Sequence, residues 1–122
     1  MNHAGKPLAG IKVLDLTTAL SGPFASRIIA DLGADVVKIE SAAHTDNTRG
    51  VHPFIDDVSH YFLAINHGKR SLSLDLKQPA GHALFLRLVE KADVVISNFR
   101  AGVLDRLGLG SDVLTARNPR RR

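Results

Sequence analysis

The sequence predicts an α/β fold, a partial Rossmann-like parallel sheet with flanking helices. Two observations predict it. Short aliphatic runs rich in β-branched residues alternate along the chain with stretches whose apolar residues recur at helical spacing. Short connections carrying Ser, Gly and Pro separate them, in the order β-α-β, loop, β-α-β, short α. A hydrophobic content of 44% supplies a core, and 122 residues allow one domain at most.

Ile11 to Leu16 is the first run and reads as a buried parallel strand. Ser21-Gly22-Pro23 suits a helix start: a capping hydroxyl, then a proline in the first turn, where its missing N–H costs nothing. Phe24, Ile28, Ile29 and Leu32 recur at helical spacing, and Gly33 stops the helix. Asp35 to Ile39 is the second strand, closed by Glu40. From Ser41 to Asn66 the pattern weakens. His44 to Thr48 reads as a polar loop, Pro53 and Asp56-Asp57 as irregular chain, and Tyr61 to Ile65 fits a helical turn or a strand fragment equally well. His67 to Arg70 forms a basic turn. Leu72, Leu74 and Leu76 then alternate with Ser71, Ser73 and Asp75, the period of a strand with one wetter face. Pro79 opens a helix with apolar positions at Ala83, Leu84, Leu86, Leu88 and Val89, and Ala92 to Ile96 is another buried strand. Val103 to Leu107 is helical, Gly108-Leu109-Gly110 breaks it, and Ser111 caps a last short helix over Asp112 to Ala116.

Composition removes several classes of function. Without cysteine there is no disulfide, thiolate nucleophile or thiolate metal site. No apolar run reaches the length of a membrane span, and the first seven residues lack the apolar centre of a signal peptide, so a cytoplasmic protein without a membrane partner is expected. The net charge of +4 comes from a basic tail at residues 117–122, where Arg117, Arg120, Arg121 and Arg122 fall. The other twelve Lys and Arg equal the twelve Asp and Glu. With aromatic content at 5% and the excess confined to a tail, nucleic acid is not an expected partner. His44, His52, His60 and His67 show no ligand spacing, so no metal site is expected.

Parallel sheets of this kind bind ligands at the carboxyl ends of their strands. Here those ends are Thr17 to Gly22, Lys38 to Ser41, Leu74 to Lys77 and Ser97 to Gly102. A helix start at Ser21-Gly22 with cations nearby at Lys38, Lys77 and Arg100 suits phosphate groups. Ordinary βα loops favour the same residue types, and that reading stands beside the first. The first βα turn, Thr17 to Pro23, lacks G-x-G-x-x-G, so an NAD-type turn is disfavoured although Glu40 sits where a ribose-binding acid would.

Pro7 to Leu16 closely resembles the N-terminus of the family III CoA-transferases, the group that holds formyl-CoA transferase, the carnitine CoA-transferases and, as a branch, α-methylacyl-CoA racemase. The resemblance continues through Gly22-Pro23, Leu32 to Glu40, Asn66, Lys69 to Ser71, Leu74 to Lys77, Ala92 to Val94, Asn98 to Val103 and Arg106 to Gly108. It implies that residues 1–122 are the N-terminal part of a CoA-binding Rossmann-like domain. It also implies that full-length relatives are interlocked homodimers. The implied substrate is an acyl-CoA, with no permanently bound cofactor. Implied CoA contacts fall at Leu20, Ser21, Ser41, Leu74, Asp75, Leu76, Lys77, Asn98, Phe99, Arg100 and Arg106. Lys77, Arg100 and Arg106 are the expected phosphate partners.

Three positions depart from the family pattern. Ser41 replaces a basic residue of some members, Leu20 a polar one of formyl-CoA transferase, and Ala101 the usual proline. The implied chemistry moves CoA from an acyl-CoA to a carboxylic acid through an aspartyl thioester. No acid in this sequence matches the nucleophile's position, so the chain reads as truncated before it and is expected to be inactive by itself. A racemase-like fragment and a non-catalytic nucleotide-binding module are the alternatives. Asp15, Asp35 and Asp93 read as turn or cap residues.

Overall fold

The computed structural model describes residues 4–120. The chain runs β1 (Lys12–Asp15), α1 (Ser21–Asp31), β2 (Asp35–Glu40), a 3-10 turn (Asn47–Gly50), then β3 (Phe54–Ile55) and β4 (Val58–Ser59). It continues with α2 (His60–Asn66), β5 (Arg70–Ser73), α3 (Pro79–Val89), β6 (Val94–Ile96), α4 (Val103–Arg106) and α5 (Ser111–Arg117). Four strands form one parallel sheet in the order β5-β2-β1-β6. The chain leaves β1 toward β2 on one side and later returns to place β6 on the other. That reversal makes a switch point between the ends of β1 and β6.

The pleat sorts residues onto two faces. Val13 and Val36 turn toward α1 and pack with Ala30 and Ala34. Leu14, Leu16 and Ile39 turn the other way and pack with Phe85, Leu86 and Val89 of α3 and with Leu109 and Leu114 near α5. Helices thus cover both faces, and the predicted α/β class is the observed one.

Several elements differ in detail from the sequence expectations. The helix α1 begins at Ser21, with Leu20 at the capping position and no side-chain cap. Its apolar row forms, but Leu20, Phe24, Ile28 and Leu32 are each at least 41% exposed, while Gly22, Pro23, Ser26 and Ala30 face the sheet. Small residues let the helix approach the strands closely, so the bulky ones lie outside. Gly33 ends α1 with a φ of 107°, as a stop residue should.

The weakly patterned segment is ordered. Asp56 and Asp57, both with positive φ, are the two-residue turn of the β3–β4 hairpin. Ser59 caps α2 by accepting the Phe62 N–H, which settles Tyr61 to Ile65 as helix. The strand expected over residues 71–76 stops at Ser73. Its neighbour β2 ends at Glu40, whose carbonyl takes the Leu74 N–H as a last rung. Leu74 and Leu76 still pack on the core beyond that point. Gly110 rather than Ser111 occupies the cap of α5. In the basic tail, Arg117 pairs with Glu90, whereas Arg121 and Arg122 lie outside the described residues. No helix among the described residues is long and apolar enough to cross a membrane.

Candidate ligand cleft at the strand ends

A cleft of about 420 Å³ opens at the carboxyl ends of β1, β2, β5 and β6. Its walls are Leu16, Ile39, Leu74, Leu76, Phe99, Val103 and Leu107, and Thr18, Glu40, Ser41, His44, Thr45, Asn47, Asp75 and Lys77 supply its polar groups. A second hollow of about 280 Å³ adjoins it. Leu76, Lys77 and Leu107 are common to both, and Gln78, Pro79, His82 and Arg106 complete the second. An apolar trough leading to a hollow bordered by two cations suits a long ligand with an anionic end.

Of the residues singled out in the sequence, Ser41, Leu74, Asp75, Leu76, Lys77 and Phe99 line the cleft, and Arg106 borders the adjoining hollow. Leu20, Ser21, Asn98 and Arg100 are exposed around the same strand ends without lining either space. The Asn98 carboxamide engages the Thr18 peptide at both ends. The Ser41 hydroxyl accepts the His44 N–H, and the Asp75 carboxylate accepts the Lys77 N–H, which turns the chain into α3. Gly81 sits so close to the Asp75 carbonyl that a Cβ there would overlap it, so α3 packs directly against the backbone of this wall of the cleft.

Lys38 was expected among the phosphate-facing cations, and the structure corrects this. The parity that puts Val13 and Val36 in the core also turns Asp15 and Lys38, two residues on, to the α1 face. There Lys38 is only 2% exposed and its ammonium lies 2.9 Å from Asp46 Oδ2 and 2.9 Å from the Thr17 carbonyl. Beside it Lys69 Nζ sits 2.9 Å from Asp15 Oδ2, within reach of the Pro23 carbonyl and Asn66 Oδ1 as well. Asp15 also accepts from Ser26 and from Thr17. Two lysines and two aspartates thus form a buried, mutually neutralised layer against the first βα turn.

Electrostatics follow from this burial. Desolvation works to raise the Asp46 pKa, but hydrogen bonds from Lys38 and Thr48 outweigh it and hold the carboxyl below its ordinary value. Glu40 behaves alike. Burial is overcome by Arg49 and by the Asp46 N–H, and the group stays low. For Lys69, desolvation prevails over the attraction of Asp15, and its pKa falls. Arg49 chelates Glu40 while its guanidinium lies 3.9 Å from the Phe62 ring centroid, which fastens the 3-10 turn to α2. Glu40 is therefore occupied, not free for a ribose.

Sequence reasoning missed Asp46, Arg49 and Lys69 because the irregular path of residues 41–50 folds Asp46 and Arg49 back onto Lys38 and Glu40 with no periodic signal, and because Lys69 meets Asp15 from a distant part of the chain. The signal that was available was the polarity of Asp15 and Lys38 at otherwise buried strand positions. The histidines scatter: His52 packs edge-on against Phe54, and His67 pairs with Asp31. Among the described residues no three His, Cys, Asp or Glu side chains converge to hold a metal.

Residues 8–120 match the family profile described as CoA-transferase family III. The chain belongs to that family. Its similarity to the acetyl-CoA:oxalate CoA-transferase of Acetobacter aceti is 48% identity over 114 residues, covering 93% of this chain and 29% of that enzyme. With the succinate–glutarate CoA-transferase of Agrobacterium fabrum it is 44% identical, over 98% of this chain and 32% of that one. A crystal structure of a CaiB/BaiF family protein from Brucella suis superposes with a TM-score of 0.86 at 43% identity, covering 93% of this chain and 31% of the other. The family III chain described here therefore spans about three-tenths of the length of these relatives.

Proposed function

We propose that this chain supplies the CoA-binding part of a CoA-transferase that moves CoA between an acyl-CoA and a carboxylic acid. The observation that carries the reading is the pair of adjoining spaces: an apolar trough for the pantetheine and base, and a hollow bordered by Lys77 and Arg106 for phosphate. In this reading CoA is a substrate rather than a resident cofactor. It lies along Ser41, Leu74 to Lys77 and Phe99, with Arg106, Arg100, Leu20, Ser21 and Asn98 around the mouth. Family membership supports the choice of CoA over other nucleotides.

The transfer runs through an aspartyl thioester in this proposal. A carboxylate attacks the thioester carbonyl and releases CoA thiolate; the thiolate then attacks the resulting anhydride, leaving CoA on the aspartyl carbonyl and freeing the acid. Of the two acids lining the cleft, Glu40 is paired with Arg49, and Asp75 accepts the Lys77 N–H through Oδ1 in the turn that leads into α3. The residues described here thus bind and orient, and the attacking carboxylate is assigned to none of them. The homodimer of the reading would have available the apolar row on the outer face of α1.

Titration calorimetry with CoA tests the proposal. Saturable binding is expected, weakened about tenfold by Lys77→Ala, the scale of one charge-assisted hydrogen bond. Absence of saturable binding, or a Lys77→Ala variant as tight as the parent, would refute it.

A further inference from the structure

The turn from β1 to α1 is held from outside itself, main-chain group by main-chain group. The Thr17 N–H donates to Asp15 Oδ1 at 2.8 Å, and the Thr17 carbonyl accepts from Lys38 Nζ at 2.9 Å. The Thr18 N–H donates to Asn98 Oδ1 at 3.0 Å, and the Thr18 carbonyl accepts from Asn98 Nδ2 at 2.7 Å. The Ala19 N–H donates to Asp46 Oδ1 at 3.2 Å. Ala19 itself has a φ of 65°, a region that residues with a Cβ avoid and keep only where their surroundings over-determine it. Gly22 closes the far side, since a Cβ there would collide with the Thr17 side chain.

Asn98 is the member of this set that crosses the switch point. It follows β6, eighty residues after Thr18, and its carboxamide grips both polar atoms flanking one residue at the end of the adjacent strand. Thr18 and Phe99, the residues it joins, both line the cleft. A side chain occupied in this way sets the separation of two walls. We propose that Asn98 is a positioning residue, which shapes the cleft by clasping Thr18 rather than by touching the ligand. The proposal deepens the CoA reading and rests on it for the choice of ligand. It departs from the sequence expectation, in which Asn98 is itself a contact.

Amide hydrogen exchange and CoA titration on the same proteins separate the two roles. In the ligand-free parent the Thr18 and Ala19 amides should exchange slowly. In Asn98→Ala the Thr18 amide should exchange about tenfold faster before any ligand is added, with Val13 and Val36 in the sheet unchanged, and CoA should bind about tenfold more weakly. Asn98→Asp keeps an acceptor for the Thr18 N–H but sets a carboxylate oxygen against the Thr18 carbonyl, so its Thr18 exchange should be faster than in the parent, and exchange as slow as the parent's would count against the clasp. Weaker CoA binding with unaltered Thr18 exchange would make Asn98 a direct contact and overturn the proposal; so would faster exchange with unaltered affinity. A parent chain that binds no CoA would overturn the CoA reading instead, and the exchange of Thr18 in Asn98→Ala would still decide whether the clasp exists.

Discussion

Replacing Lys38 by methionine removes one charge from a pair that has almost no contact with water. Side-chain exposures are 3% for Lys38 and 0% for Asp46, and the charged atoms are 2.9 Å apart. At an effective dielectric constant of about 20 their attraction is about 6 kcal/mol. Desolvating two ions costs several kcal/mol each, so the pair as a whole sits near break-even, while either charge alone is strongly unfavourable. Lys38→Met should therefore lower unfolding free energy by about 3–5 kcal/mol, because Asp46 is left buried without its cation. Asp46→Asn should cost about 3 kcal/mol; it keeps an oxygen for the Ala19 and Thr48 N–H groups but strands Lys38. Together the two substitutions should cost only about 1–2 kcal/mol, since both charges leave and mainly hydrogen bonds are lost. Urea denaturation followed by circular dichroism measures this, with midpoints expected to fall by about 2 M in the single variants. A Lys38→Met loss below about 1 kcal/mol, or strict additivity in the double variant, would show that the pair is solvated and the argument wrong.

Gly81→Ala tests the tie between α3 and the cleft. In an open helix this change stabilises by up to about 1 kcal/mol, but here the added Cβ overlaps the Asp75 carbonyl, so a loss of about 3 kcal/mol with weaker CoA binding is expected. Denaturation and calorimetry together check it, and a stabilised variant would contradict the close approach. On acidification, Asp46 and Glu40 both have folded pKa values below their unfolded ones. The unfolded chain then binds more protons across that interval, so their stabilisation is complete above about pH 4.5 and disappears as pH falls through the folded values. Urea midpoints measured from pH 7 down to pH 3 should fall below about pH 4.5, less steeply in Asp46→Asn; equal slopes in the two proteins would sink the assignment.

The sheet and its two main helices were legible because hydrophobic periodicity is local. Ile11 to Glu40 declares itself as strand, helix and strand through aliphatic runs and through the Ser-Gly-Pro and Gly33 boundaries. The cleft wall from Leu74 to Lys77 was legible for the same reason, as a strand end in an alternating series. Periodicity gives the face of a residue, however, and not its partner. Lys38 and Lys77 look alike in sequence, two lysines at strand ends. One is buried against Asp46 and the other lines the cleft, and only the fold of residues 41–48 decides which is which. Phe24, Ile28 and Leu32 mislead in the opposite sense. Their spacing is that of a core face, yet small residues on the other side of α1 take the sheet contact. The hairpin and α2 were hidden because each spans only a few residues, below the length at which a period can be counted.

The clasped turn between β1 and α1 also limits how sequence can vary there. Thr17 is enclosed, Thr18 is gripped through its backbone, Ala19 needs a residue that tolerates left-handed geometry, and Gly22 and Pro23 are packed away. Leu20, half exposed and without a polar partner to satisfy, is the position where side chains can be exchanged without disturbing the frame. A library built on this scaffold would keep the enclosed residues of the turn and draw its diversity first from that site.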